Sequence, residues 1–87
     1  MDSVRQAEIG ILRYLIAHQD ARDTIEGIEK WWLPQSGDYG LTDIAAALHR
    51  LEGRNLIYVW KSKSAEPVYG RGTADSDSLE SYLKNLE

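Results

Sequence analysis

The first part of the chain has the clearest helical repeat of apolar residues. From Ser3 to about His18, one helix face would carry Val4, Ala7, Ile11 and Leu15, widened by Ile9, Leu12 and Ile16. Such a broad apolar face predicts the most buried helix of the protein. Gly10 lies within this pattern, where glycine costs about 1 kcal/mol relative to alanine, so we expect another element to approach closely there.

A second helix is predicted over residues 24–33. Asp23 followed by Glu26 resembles a capping box at its start. Apolar residues then recur at helical spacing, at Ile25, Ile28 and Trp32. Pro34 stops the pattern, and the turn-forming residues 34–40 predict a loop. The helical spacing directs Trp32 into the core and leaves the adjacent Trp31 at least partly exposed.

A third helix follows, with Thr42 as its expected cap and Gly53 or Asn55 as its expected end. Its predicted inward face consists of Leu41, Ile44, Ala45, Leu48 and Leu51. The predicted outward face consists of Asp43, Ala46, Ala47, Arg50 and Arg54.

Residues 56–70 predict a β-hairpin. Residues 56–61 are rich in β-branched and aromatic side chains, 62–66 form a polar loop, and 67–70 form the returning strand. Pro67 fits the start of an edge strand, where its missing N–H does no harm. The elements together predict an α+β protein, mainly α-helical.

The C-terminal segment reads as an acidic linker followed by a short amphipathic helix. Apolar residues at the spacing i, i+3, i+4, i+7 are Leu79, Tyr82, Leu83 and Leu86. So short a helix needs packing to be stable in water, so this stripe is expected to lie on its own domain or on a second subunit.

Composition narrows the class of protein. With 87 residues and 43% hydrophobic residues, the chain has room for one domain with a modest core. It has no cysteine, and His18 and His49 stand far apart without a ligand-rich cluster, so we expect no metal and no cofactor. No targeting signal and no long apolar run is present, which favours a cytoplasmic protein without a membrane span. No catalytic constellation is recognisable, so an enzyme is not expected.

The charge is unevenly distributed along the chain. The formal net charge is −4, which opposes general attraction to nucleic acid. Residues 1–41 carry four basic and seven acidic side chains, and residues 73–87 carry one basic and four acidic ones. Only residues 42–72, with five basic and three acidic side chains, are net positive.

Three helices followed by a hairpin, joined by the sequence from Leu48 to Tyr58, resemble the winged helix-turn-helix superfamily. Leu51 with Leu56-Ile57 matches the passage from the third helix into the wing, and Val68-Tyr69 matches the returning wing strand. The resemblance covers about residues 4–72. It implies a winged helix-turn-helix domain over residues 1–72, with the linker and short helix at 73–87 outside it.

The resemblance implies a prokaryotic transcription regulator that binds double-stranded DNA and dimerises through its terminal helices. The third helix would enter the major groove, with Arg50 as the main base contact, and the wing would hold the DNA backbone. The residues implied at the DNA are Thr42, Asp43, Ala46, Ala47, Arg50, Arg54, Lys61, Lys63 and Arg71.

The same residues allow a second hypothesis, a protein-interaction module on the winged-helix scaffold without DNA binding. Its interface would include Trp31, Leu79, Tyr82 and Leu83, and exposed alanines on the third helix would contribute. Ordinary structural roles also fit, since lysines protect edge strands and Trp31 can cover the rim of a core. A continuous basic face would favour DNA binding, whereas an exposed apolar patch would favour a protein partner.

Overall fold

The N-terminal helix lies at the centre of the packing. In the computed structural model, which describes residues 2–33 and 39–87, α1 spans Ser3–Ala17, as the apolar repeat predicts. Asp2 caps it by accepting hydrogen bonds from the backbone N–H groups of Val4 and Arg5. Its fully buried apolar residues are Ala7, Ile11, Leu12 and Leu15. α1 packs against the third helix, Leu41–Gly53, and against the C-terminal helix, Ser76–Leu86.

Gly10 is the point of close approach on α1. A Cβ atom at this position would lie 2.5 Å from Cδ2 of Leu33, so the expectation of a close neighbour is confirmed. The neighbour comes from the end of the second helical segment. Leu33 is itself buried, so the absence of a side chain at Gly10 lets this segment pack directly on α1.

The second helical segment differs from the prediction in its start and its winding. Arg22–Asp23 forms a short strand, β1, and Thr24 is the N-cap, accepting from the Gly27 N–H at 3.2 Å. The capping box at Asp23 was therefore wrong. Only Ile25–Gly27, α2, is α-helical, and the chain continues as a π-helix over Ile28–Trp32. Most of the predicted loop, residues 34–38, lies outside the described residues.

Trp31 and Trp32 point in different directions, as predicted. The Trp32 side chain is 7% exposed and stacks on Tyr14, with ring centroids 4.9 Å apart. Trp31 is 73% exposed. The aromatic stack joins the π-helix to α1 and extends the core beyond the aliphatic residues.

The third helix, α3, spans Leu41–Gly53, but its buried face is rotated relative to the prediction. Ala47 is fully buried with Ile44, Leu48 and Leu51, whereas Ala45 is exposed. Leu41 is 46% exposed, although the sequence pattern placed it on the inward face. Alanines flank the leucine stripe on both sides, and packing against α1 selects the Ala47 side.

The ends of α3 are set by residues on either side of it. Thr42 lies inside the helix, so the prediction that it caps α3 was wrong. Gly40 is the N-cap, and its N–H donates to the Asp43 carboxylate at 3.1 Å. The predicted end is confirmed, since Gly53 is the last helical residue and Asn55 has a φ of 61°. Asparagine tolerates this left-handed conformation better than most residues.

The predicted hairpin consists of β2, Tyr58–Trp60, and β3, Val68–Gly70. Its sheet has a third strand, because β1 pairs antiparallel with the other side of β3 in the order β1-β3-β2. The returning strand is therefore central, and the assignment of Pro67 to an edge strand was wrong. Pro67 precedes β3, so its missing N–H leaves the ladder intact. β1 has only two residues, too few for a recognisable alternation.

The C-terminal helix, α4, spans Ser76–Leu86 and packs on α1. Leu79 is fully buried in the core, and Tyr82, Leu83 and Leu86 pack around the edge of the core. The last turn is tied to α1 by a hydrogen bond from Arg5 Nε to the Leu86 carbonyl oxygen, 2.6 Å. The C-terminal stripe therefore lies on its own domain.

Candidate functional site

The residues implied at DNA lie on different parts of the surface. Ala47 is fully buried and cannot contact a ligand, so its assignment to the DNA face was wrong. Asp43 is engaged at the start of α3, where its carboxylate accepts from the backbone. Thr42 is exposed and Ala46 is half-buried. Of these four α3 residues, Thr42 alone offers an exposed polar side chain that the described contacts do not engage.

Arg50 is directed towards a buried carboxylate on α1. Its Nη1 lies 3.7 Å from Oε1 of Glu8, an ion pair too long for a hydrogen bond, and its side chain is 53% exposed. Oε2 of Glu8 accepts a hydrogen bond from the Tyr82 hydroxyl at 3.3 Å. Arg54, the residue that follows the last turn of α3, places its guanidinium 4.8 Å from the centre of the Tyr82 ring. These four residues form a polar cluster where α1, α3 and α4 meet.

Glu8 is the residue of this cluster that the sequence analysis missed. It is fully buried, and burial raises the pKa of its carboxyl group above the ordinary value. The positive charges of Arg50 and Arg54 and the Tyr82 hydroxyl oppose that rise. The signal in the sequence was a carboxylate inside the apolar repeat of α1, one turn before Leu12. A buried charge at such a position requires a partner from another element.

Acidic residues interrupt the basic surface. Arg54 lines a shallow pocket together with Asp75 and Asp77 of the α4 N-terminus. Arg71 follows β3, and its Nε donates to the Ala74 carbonyl oxygen at 2.6 Å. Lys61 lines a different pocket, which also contains Glu52. Arg54, Lys61 and Arg71 therefore line three different pockets.

An apolar groove lies beside the N-terminal half of α3. We call it the hairpin groove; its volume is about 490 Å³ and its lining is Ile25, Glu26, Leu41, Thr42, Ala45, Glu66, Pro67 and Tyr69. Apolar side chains form its walls, and the carboxylates of Glu26 and Glu66 lie among them. Burial, followed by the negative charge of Glu52, raises the pKa of the Tyr69 hydroxyl. Tyr69 therefore stays neutral at physiological pH.

A second cavity lies over the sheet and the turn after α3. This sheet cleft has a volume of about 490 Å³ and is lined by Gln19, Asp20, Ala21, Arg22, Asn55, Ile57, Tyr58, Trp60, Arg71, Gly72 and Thr73. The guanidinium of Arg22 lies 4.2 Å from the centre of the Trp60 ring, a cation–π contact. Tyr58 meets Trp60 edge to face, with centroids 4.9 Å apart.

The residues assigned to an interface are divided between core and surface. Leu79 is fully buried within the chain and is unavailable to a partner, which corrects its assignment to an interface. Tyr82 and Leu83 are half-buried against the core. Trp31 is the most exposed large apolar side chain of the described residues.

Two classes of site have no support in the described part of the chain. Within residues 2–33 and 39–87, no group of three or more His, Asp or Glu side chains could hold a metal ion. No helix in these ranges is both long and apolar enough to cross a bilayer.

Comparison with protein-family models, curated proteins and solved structures finds no match to the chain. A functional assignment therefore rests on the geometry of the chain's own residues.

Proposed function

We propose that the chain is a winged helix-turn-helix domain that binds a protein segment in the hairpin groove. The winged-helix arrangement is supported by the direct passage from α3 through Asn55 into an antiparallel hairpin. β1 attaches the hairpin to the segment between α1 and α2. This attachment holds the hairpin beside the N-terminal half of α3, where the groove forms.

The observation that carries the proposal is the apolar lining of the hairpin groove. Leu41 is 46% exposed although it lies next to the half-buried Ile25 and Tyr69. Exposed apolar surface next to a concave site is typical of places where a protein side chain docks. Burying Leu41 under a partner would remove this surface from water.

Charge defines the chemistry of the partner. The groove carries the carboxylates of Glu26 and Glu66 and no cationic side chain, and the whole chain has a net charge of −4. An amphipathic segment with apolar residues flanked by Lys or Arg complements this surface in both shape and charge. The proposed partner is therefore a basic amphipathic protein segment.

The first test is fluorescence anisotropy with a labelled amphipathic helical peptide built from Leu and Lys. We expect saturable binding that is weakened by Leu41→Ser and by Glu66→Lys. Glu80→Lys is the matched control, because Glu80 is an exposed carboxylate on α4, away from the groove. A peptide with Glu in place of Lys should bind poorly.

Two results would contradict binding at the groove. One is equal weakening by Glu66→Lys and Glu80→Lys, which would indicate general charge attraction. The other is that the Leu41→Ser variant binds the peptide as tightly as the wild type does, since Leu41 would then make no apolar contact with the peptide. Circular dichroism of each variant confirms that the helices are retained.

DNA binding is a second candidate function, supported by a smaller exposed surface. Lys61 and Lys63 are exposed on the hairpin, and Thr42 and His49 are exposed on α3. These residues could contact phosphate and base edges if the hairpin acts as a wing. Arg50 would contribute only with the part of its side chain left exposed beside Glu8.

DNA binding is tested by anisotropy titration of a mixed-sequence duplex at about 50 and about 200 mM salt, because phosphate contacts weaken steeply over this range. Salt-dependent binding that is lost in the double variant Lys61→Ala, Lys63→Ala supports this function. Arg50→Ala is unsuitable as the main probe because it also leaves the buried Glu8 without its ion pair. No binding at the lower salt concentration rejects DNA binding.

A further inference from the structure

We propose that the sheet cleft binds a small planar organic anion of the nucleotide class. This site is separate from the hairpin groove and uses none of the residues that line it. The proposal therefore does not depend on the function proposed for the groove. It rests on the charge of the cleft, an arginine held in place by a backbone hydrogen bond and an aromatic wall.

The sheet cleft is electropositive in an acidic chain. Arg22 and Arg71 line it with a single carboxylate, that of Asp20, and neither arginine forms a salt bridge within the described residues. The pocket beside α4, in contrast, has two aspartates for the single arginine Arg54. Positive charge in a concave site attracts anions more strongly than the same charge on a flat surface. The charge of the cleft thus favours an anionic ligand.

Arg71 has a nitrogen without an acceptor. Its Nε is held by the Ala74 carbonyl oxygen, which fixes the direction of the side chain. Its Nη1 is buried and has no hydrogen-bond partner in the described part of the chain. A guanidinium binds phosphate or carboxylate oxygens through parallel N–H donors. Nη1 itself has no solvent-accessible surface, so an anion in the cleft would be attracted by the positive charge of the guanidinium, which no salt bridge within the described residues neutralises.

The aromatic wall of the cleft favours a planar ligand. Tyr58 is 55% exposed, and its ring is held by the edge-to-face contact with Trp60. Gly72, with a φ of 64°, packs so closely against Tyr58 that a Cβ there would lie 2.7 Å from Tyr58 Cβ, so this glycine supports the tyrosine from one side. An exposed tyrosine next to arginines is the combination that stacks a nucleobase while it binds phosphate.

The size and polarity of the cleft agree with this class of ligand. Its volume of about 490 Å³ is in the range of small-molecule sites. Asn55 and Thr73 add side-chain hydrogen-bonding groups to the lining. A mononucleotide has a planar base, a polar sugar and an anionic group, which match the tyrosine, these polar side chains and the arginines.

The test is an NMR titration of the ¹⁵N-labelled protein with adenosine monophosphate at millimolar concentrations. We expect saturable shifts of the Trp60 indole N–H signal and of backbone signals near Tyr58. Arg71→Gln should weaken binding by at least about tenfold, because it removes one of the two positive charges that line the cleft. Arg22→Gln provides a second, independent variant if Arg71→Gln alters the fold. Lys63→Gln, which removes an exposed cation outside the cleft, should bind as the wild type does.

Four outcomes would overturn the proposal. The absence of shifts at millimolar nucleotide would exclude the site. Equal weakening by Lys63→Gln and by both arginine variants would indicate general charge attraction. Inorganic phosphate binding as tightly as adenosine monophosphate would exclude a role for the ring. Adenosine binding as tightly as its monophosphate would exclude a role for the anion.

Discussion

Replacement of Leu79 by alanine is expected to destabilise the protein by about 2–4 kcal/mol, within the range measured for leucines in cores. Leu79 is the one fully buried residue of α4 and belongs to the same core as the apolar residues of α1. The other ties of α4 to α1 include the hydrogen bond from Arg5 and the ion pair between Arg13 and Glu87. Exposed contacts of this kind contribute about 1 kcal/mol or less each, so they cannot replace Leu79.

The assay is urea denaturation of Leu79→Ala followed by far-ultraviolet circular dichroism. The variant should also lose helical signal before the main transition, because an eleven-residue helix is marginal without packing. Leu86→Ala is the matched control on the same helix; Leu86 is half-buried, so we expect a loss of about 1 kcal/mol or less.

Equal effects of Leu79→Ala and Leu86→Ala would refute the packing of α4 on its own domain. A denaturation midpoint of the wild type that rises with protein concentration would also refute it, because dissociation of a subunit would then accompany unfolding.

Three further predictions concern stability. Gly10→Ala should be neutral to destabilising, by up to about 2 kcal/mol, because the new Cβ would press on the buried Leu33. Gly53→Ala has open space around the new Cβ and should stabilise the protein by up to about 1 kcal/mol. Urea denaturation compares the two variants, and a stabilising effect of Gly10→Ala would contradict the close approach of Leu33. Asn55→Ala should destabilise the protein by about 1 kcal/mol, because the φ of 61° at this position is unfavourable for alanine. Asn55→Gly should be close to neutral, because glycine adopts this φ readily. Equal losses of stability for the two variants in thermal unfolding would contradict this reason. Because the pKa of Glu8 is raised in the folded state, its contribution to stability is fully present below its ordinary pKa of 4.5 and is lost as pH rises through the raised value. The wild type should therefore lose stability relative to Glu8→Gln as pH rises from about 4.5 towards neutrality. A difference in unfolding free energy between the two proteins that is independent of pH would contradict the burial of this carboxyl group.

The sequence by itself determined the features that depend on local spacing and local conformation. The apolar repeat of α1 identifies a buried helix because its stripe is broad and has few competing positions. Asn55 identifies the end of α3, since few residues tolerate a left-handed backbone. The adjacent tryptophans could be assigned to core and surface because one helix face cannot contain both. The hairpin follows from β-branched and aromatic residues on each side of a polar loop.

Tertiary packing decided which side of α3 is buried and which strand is central. Ala45 and Ala47 flank the same leucine stripe, so periodicity alone cannot choose between them, and contact with α1 buries Ala47. The strand at Arg22–Asp23 exists only because β3 is available to pair with it. An isolated two-residue segment has no pattern that would reveal this pairing.

The candidate sites depended on tertiary structure even more strongly. Arg50 and Arg54 lie on one side of α3, as their spacing predicts, but that side meets Glu8 and α4. Arg71, from the same net-positive segment, lines the sheet cleft together with Arg22 instead. Spacing along a helix determines which side chains share a face. What that face contacts is determined by elements distant in the sequence, whose charge and packing only the folded chain brings together.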